Sequence, residues 1–293
     1  MKRFIPTLAL SLGASLLASS ALAQGLQKNI EVIFNVTSDD NPSEVRKRYK
    51  AFHQIVEDEV NSRLTDKQVY IRLAIAPSYE ISIEQMASGE AQFGRLTPVV
   101  YLAAKQQNPD LELLAGEVLH DGDGDTHTHG VLVVHQDSPI QSLEDLKGKS
   151  IAFMSPMATS GRFHAQAHLR EGGLGPADFS KFEYLGRNDK IIEAVAAGEF
   201  DVGATTFRTY LHDSTKEGMP VRKLAEYVIP HNPWVVNTSL PEDVRDALRA
   251  TLLEMDEEKL QILGVDAFVA VDDAEYTVTQ EAMKYSEEYA PAQ

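Results

Sequence analysis

The run Ser155-Pro156-Met157-Ala158-Thr159-Ser160-Gly161-Arg162 carries the most readable chemistry in the chain. It follows a strand-like run, Ile151-Ala152-Phe153-Met154, and opens an amphipathic segment at 160–170 that stops at Gly172-Gly173. A helix start carries unpaired backbone N–H groups and a partial positive charge. Thr159 and Ser160 add hydroxyl donors, and Gly161 permits close approach to the backbone. Such a turn suits a tetrahedral oxyanion. The same residue types also suit plain helix capping, and the local pattern leaves both readings open.

Arg95, ahead of Leu96-Thr97-Pro98, offers a planar donor fork either to a cleft or to a surface acid. Arg162, Arg187 and Arg208 stand at similar loop–helix edges. His120, His127 and His129 fall within a run rich in Asp, and an extended chain would put His127 and His129 on one face. That run lacks the closing Glu and the spacing of a calcium loop. It reads as a solvated turn, with His127 and His129 the only metal candidates, and His129 within reach of a cleft. The chain has no Gly-x-Ser-x-Gly elbow. Nor does it carry a phosphate-binding Walker loop or a Gly-x-Gly-x-x-Gly fingerprint. No cofactor and no enzymatic activity are expected, and a phosphate-ester hydrolase is the weakest of the readings.

The elements that must position these residues alternate. Strands are predicted at 31–36, 68–76, 91–96, 111–118, 130–135, 150–154, 182–185 and 201–204. Helices are predicted at 43–63, 82–87, 98–105, 160–170 and 189–197, with a mostly helical end at 241–255 and 274–289. This grammar predicts mainly parallel α/β sheets. It runs through twice without a sequence repeat, which fits two lobes: 24–129 plus 231–293, and 130–230. Ligands of such folds bind between lobes, beyond the carboxyl ends of strands.

Composition sets the compartment. The 293 residues carry 44 acidic and 27 basic side chains and a formal net charge of −17. That balance opposes non-specific nucleic-acid binding and docking on anionic membranes. The absence of cysteine excludes disulfides and thiolate chemistry. Lys2-Arg3, an apolar stretch and Ala21-Leu22-Ala23 form an export leader, 1–23, cleaved before Gln24. No later apolar run is long enough to span a bilayer. A periplasmic monomer is expected.

Several motifs then fall in a familiar order. Ser78-Tyr79-Glu80, Met86-Ala87-Ser88-Gly89 and Leu96-Thr97-Pro98-Val99-Val100-Tyr101 precede Leu143-Glu144-Asp145-Leu146-Lys147-Gly148-Lys149. Ala158-Thr159-Ser160-Gly161, Tyr184-Leu185-Gly186-Arg187-Asn188-Asp189 and Asp201-Val202-Gly203-Ala204 follow. The chain resembles the phosphate/phosphite/phosphonate-binding family of ABC-importer periplasmic proteins. That resemblance implies a type II two-lobed periplasmic binding protein fold. It also implies a ligand site at Tyr79, Thr97, Tyr101, Ala158, Thr159, Ser160 and Gly161, with Asn188 and Asn232 at its edge; Arg95 is a candidate that departs from the apolar or aromatic residue usual in the family.

The sequence departs from the family at Ala158, where a hydroxyl is usual, and at Asn188, where His is usual. It departs again at Asn232, where aminophosphonate binders often carry an acid. Asn232 supplies no countercharge to an ammonium, which favours an oxyanion without an amine. The implied partner is an ABC permease or the periplasmic domain of a sensor kinase. The competing reading is a sensor for a metal or metalloid oxyanion, such as an arsenic species.

Overall fold

The computed structural model describes residues 28–37, 42–119 and 128–289; the leader expected at 1–23, and His120 and His127, lie outside them. The first unit runs β1 (Lys28–Thr37), α1 (Pro42–Arg63), β2 (Lys67–Ala76), α2 (Tyr79–Ser88), β3 (Phe93–Arg95), α3 (Pro98–Gln107) and β4 (Leu111–Leu119). The second begins with β5 (Thr128–His135) and β6 (Ser150–Phe153). A π-helical turn, Thr159–His164, then runs directly into α4 (Ala165–Glu171). It continues with β7 (Lys181–Tyr184), α5 (Asn188–Ala196), β8 (Val202–Thr206), α6 (Phe207–Asp213) and β9 (Val221–Ile229). The chain returns through β10 (Asn232–Asn237), α7 (Glu242–Leu253), α8 (Glu257–Leu260), β11 (Val265–Val269) and α9 (Thr277–Tyr285).

The strands form two sheets, ordered β11-β4-β10-β3-β1-β2 and β7-β6-β8-β5-β9. The expectation of mainly parallel sheets is corrected: both are mixed. The βα units pair in parallel, as β1 with β2 and β3, and β6 with β7 and β8. The strands that arrive from the opposite sheet, β5 and β10, pair antiparallel, as does the late strand β11. A direct crossing enters a sheet from the end where the βα strands leave it, so its direction is reversed.

Each sheet has its own core. On the first, α1 turns Val45, Tyr49, Phe52, Val56 and Val60 inward against Phe34 and Trp234. Phe34 stacks on Phe93 at 4.7 Å and on Trp234 at 5.3 Å between ring centroids. The second core gathers Leu132, Ile151, Phe153, Leu169 and Val202.

The lobe limits also differ from expectation. Thr128 and His129 already pair with β9 in the second sheet, so that unit starts before 130. The C-terminal segment, assigned from sequence to the first lobe, packs on both. Ala282 of α9 touches a cluster of Val99 and Phe163, and Tyr289 lies 5.8 Å from Phe153 and 5.7 Å from Phe182 between ring centroids. No helix of the described residues is long and apolar enough to cross a membrane.

Candidate functional site

A parallel strand followed by a helix leaves the helix N-terminus at the strand's carboxyl end. In this molecule five such starts converge on one cavity between the lobes. Its lining includes Tyr79, the first residue of α2, and Thr97, which precedes α3. It also includes Ala158, Thr159 and Ser160 at the π-turn, Asn188 at the start of α5, and Thr206 before α6. The five partial positive charges point at the same space.

The π-turn is the widest of these starts: Phe163 N–H is bonded five residues back, to Ala158 O at 3.1 Å. Such wide turns recur at functional sites. Tyr227 of β9 buttresses it from beneath, donating its hydroxyl to Ser160 O at 2.9 Å. Thr159 reaches across the cleft instead: its Oγ1 accepts Val99 N–H at 3.1 Å and so caps α3 of the other lobe. Among the described residues, Thr97, which could have made that cap, leaves its own Oγ1 unpartnered, as does Thr128. Both are buried hydroxyls on the cavity wall.

Guanidinium groups supply full charge. Arg48 and Arg95 come from the first lobe and Arg208 from the second, and all three line the cavity. No Asp or Glu stands among its described lining residues. Arg95 is held in a two-pronged pair with the buried Glu117, Nε to Oε2 at 3.0 Å and Nη2 to Oε1 at 2.7 Å. Glu117 also accepts Trp234 Nε1–H at 3.0 Å and Asn232 Nδ2–H at 3.5 Å. Burial alone would raise the Glu117 carboxyl, but the charge and hydrogen bonds of Arg95, with Arg208 and Trp234 beside it, hold it below the usual carboxylate range. For Arg208, burial and then the like charge of Arg48 press the guanidinium below its ordinary value, and Glu117 works against that.

The structure brings together most of the residues singled out from sequence: Tyr79, Arg95, Thr97, Ala158, Thr159, Ser160, Asn188 and Asn232 line the cavity. Asn188 is fixed by Thr205, whose hydroxyl donates to its Oδ1 at 3.1 Å.

Two residues do not line it. Tyr101 is fully buried, donates its hydroxyl to Asp273 and packs against Tyr276 at 5.2 Å between ring centroids. Gly161 is absent from that lining, and a Cβ there would lie 2.5 Å from Met154 Cβ. Of the remaining arginines, Arg187 pairs with Asp189, and Arg162 donates to Pro156 O and covers the Phe163 ring.

His129 lines the cavity, with Nδ1 3.7 Å from Glu226. Among the described residues no cluster of three His, Asp or Glu could hold a metal. Sequence reasoning missed Arg48 altogether. It had one visible sign, a guanidinium placed three residues after Val45 and four before Phe52, on the stripe that packs inward.

Comparison with known proteins adds the relationship. A family model described as ABC transporter, phosphonate, periplasmic substrate-binding protein matches residues 34–276. The phosphate-import protein PhnD of Mycolicibacterium smegmatis is 24% identical over 191 residues, 63% of this chain. That match spans 57% of the relative's own length. PhnD1 of Prochlorococcus marinus, solved in complex with methylphosphonate, superposes with a TM-score of 0.77 at 18% identity. The match covers 88% of this chain and 98% of that one. The binding component of an ABC phosphonate transporter from Pseudomonas aeruginosa gives 0.74 at 18% identity, covering 88% and 86%. At such identities the structural likeness speaks for the fold, that of a type II periplasmic binding protein.

Proposed function

This chain belongs to the periplasmic substrate-binding proteins of phosphonate ABC transporters, and on that premise we propose that it captures a small tetrahedral oxyanion, phosphate or a short phosphonate, and passes it to a permease. The family is one of binding components, not of enzymes. One observation carries the ligand class. In a chain of net charge −17, the described lining of the cavity holds three guanidiniums and five helix starts and no carboxylate. Desolvated donors aimed at one space favour an anion, and each hydrogen bond to a charged group contributes about 1.5–3 kcal/mol.

Size narrows the ligand. The cavity holds about 50 Å³. A water needs roughly 10–15 Å³ on that measure, so the space suits an ion of a few heavy atoms. Charge narrows it further. The nearest buried carboxylate, Glu117, is already engaged by Arg95, Trp234 and Asn232. An ammonium group finds no free counter-ion there, so phosphate, phosphite and methylphosphonate fit better than an aminophosphonate.

Binding and closure are one event on this reading. The π-turn, Asn188 and Arg208 hold the anion from the second lobe, and Tyr79, Thr97, Arg48 and Arg95 hold it from the first. A ligand that touches both lobes shifts the population toward the closed form by its differential affinity. The closed pair of lobes is then the surface the permease reads. Export by the leader at 1–23 would deliver the protein to the periplasm.

Titration calorimetry with phosphate, phosphite, methylphosphonate, 2-aminoethylphosphonate and sulfate tests the reading. At least one of the first three should bind most tightly. Thr159→Ala with Ser160→Ala should weaken it at least tenfold, about 1.4 kcal/mol. Tightest binding of the aminophosphonate, or an unchanged double variant, would overturn the assignment.

A further inference from the structure

Arg208 does more than line the cavity. Its Nη2 donates to Leu263 O at 2.6 Å and to Gly264 O at 3.0 Å. Arg208 belongs to the second lobe through α6, whereas Leu263 lies in the first lobe's core. Those carbonyls end the helical turn that follows α8, where the last C=O groups of a helix lack partners and attract a cation. The same guanidinium stands beside Arg48 of the first lobe and feels its repulsion. The bonds to Leu263 and Gly264 hold Arg208 against a like charge.

We infer that Arg208 is a closure latch: it joins the lobes through the Leu263–Gly264 carbonyls, and an anion between Arg48 and Arg208 is what permits the latch to set. The inference rests on the anion-binding reading above. Without an anion, closing brings Arg208 toward Arg48 and Arg95, a repulsion that Glu117, and Glu44, Asp189 and Asp213 of the neighbouring pocket lined by Arg48 and Arg208, offset only in part. With a dianion in place, that repulsion becomes attraction, and the two carbonyl bonds are added to the closed form alone. Arg208 thus turns ligand charge into lobe position; with respect to closure it is a positioning residue.

Gly264 makes the latch testable without touching the cavity. Its φ is +63°, and a Cβ there would lie 2.4 Å from Arg208 Nη2. Asn tolerates the left-handed backbone, so Gly264→Asn displaces the guanidinium with little backbone strain. Gly198, at φ +73° with nothing within 4 Å of an added Cβ, provides the matched control, Gly198→Asn.

Calorimetry with inorganic phosphate and methylphosphonate, and small-angle scattering with and without each, read affinity and closure separately. Gly264→Asn should lower affinity at least tenfold and leave the saturated protein with a larger radius than wild type; Gly198→Asn should change neither. In an Arg208→Ala background, Gly264→Asn should have no further effect. Wild-type affinity and radius in Gly264→Asn, or effects that simply add to those of Arg208→Ala, would overturn the latch and leave the anion site standing. If the wild type binds neither probe, the anion reading itself fails. Should Gly264→Asn not fold, Gly264→Ala presents the same Cβ.

Discussion

Replacing Glu117 by Gln should separate stability from binding. Glu117 is 1% exposed and Arg95 9% exposed, so neither can turn to water when its partner is lost. The carboxylate takes three hydrogen bonds within 3.0 Å, two from Arg95 and one from Trp234. Gln keeps one acceptor, but its amide NH2 must face a donor of Arg95. Breaking a buried ion pair costs about 3–5 kcal/mol, and the retained acceptor lowers that to about 2–4 kcal/mol. At about 2–4 °C per kcal/mol for chains approaching this size, a loss near 3 kcal/mol lowers the Tm by about 6–12 °C.

Binding should move the other way. The variant removes the carboxylate charge that faces Arg95 beside the cavity, so a dianion gains more there than in the wild type. Differential scanning calorimetry at neutral pH, with and without saturating phosphate, reads both quantities. The ligand-free Tm should fall, and the rise on adding phosphate should exceed that of the wild type. A fall under about 2 °C would refute the energetic account of the pair. A phosphate response that vanishes would show that Glu117 acts by orienting Arg95 for the ligand.

Arg48→Ala should lower phosphate affinity at least tenfold and flatten its salt dependence while leaving the Tm nearly unchanged, because Arg48 is half-buried and has no ion pair among the described residues; calorimetry across a salt series checks this. Tyr101→Phe should leave phosphate affinity within about twofold and lower the Tm by about 2–4 °C, the loss of one hydrogen bond to Asp273. Acid should destabilise the protein through His164, whose imidazole burial pushes down to about 4. Its folded pKa lies below the ordinary 6.5, so its contribution is complete above that value and is lost as pH falls from 6.5 toward 4. Glu117, also depressed, works in the same direction at lower pH. Urea melts of the wild type and His164→Gln across that range should converge as pH falls, and parallel curves would refute the assignment.

The sequence showed the βα units plainly, because each pairs a short apolar run with an amphipathic helix next to it. It hid what depends on distant partners. β11 lies in a stretch read as helical, and its five residues become a strand only against β4, about 150 positions earlier. No strand was predicted over β10; Pro233 sits within it, and the pairing there is interrupted by a bulge between Trp234 and Val235. The mixed sheets follow from those strands.

At the site, residues in strand-to-helix turns were legible because the fold class dictates where such turns point. Arg48 and Thr128 were not, since a face of α1 and the first residue of β5 reach the cavity only when the lobes meet. Tyr101 was implied by family resemblance, and packing against Tyr276 with a bond to Asp273 claims it. Nothing in Thr159–His164 announces a π-turn, which arises where the segment is tied at once to Met154 N–H, Tyr227 and the α3 start.

The seat of α9 restricts how the molecule can move. Besides the two backbone passages between sheets, this helix is fastened on one side by Val99 and on the other by Phe163, with His164 Nε2 and Thr279 Oγ1 sharing a hydrogen bond of 2.9 Å. A helix that packs on both bodies restrains shear and torsion between them. On the proposed reading, different anions would then meet the same pair of walls. The outer shape offered to a permease would then be set by the extent of closure rather than by the identity of the anion.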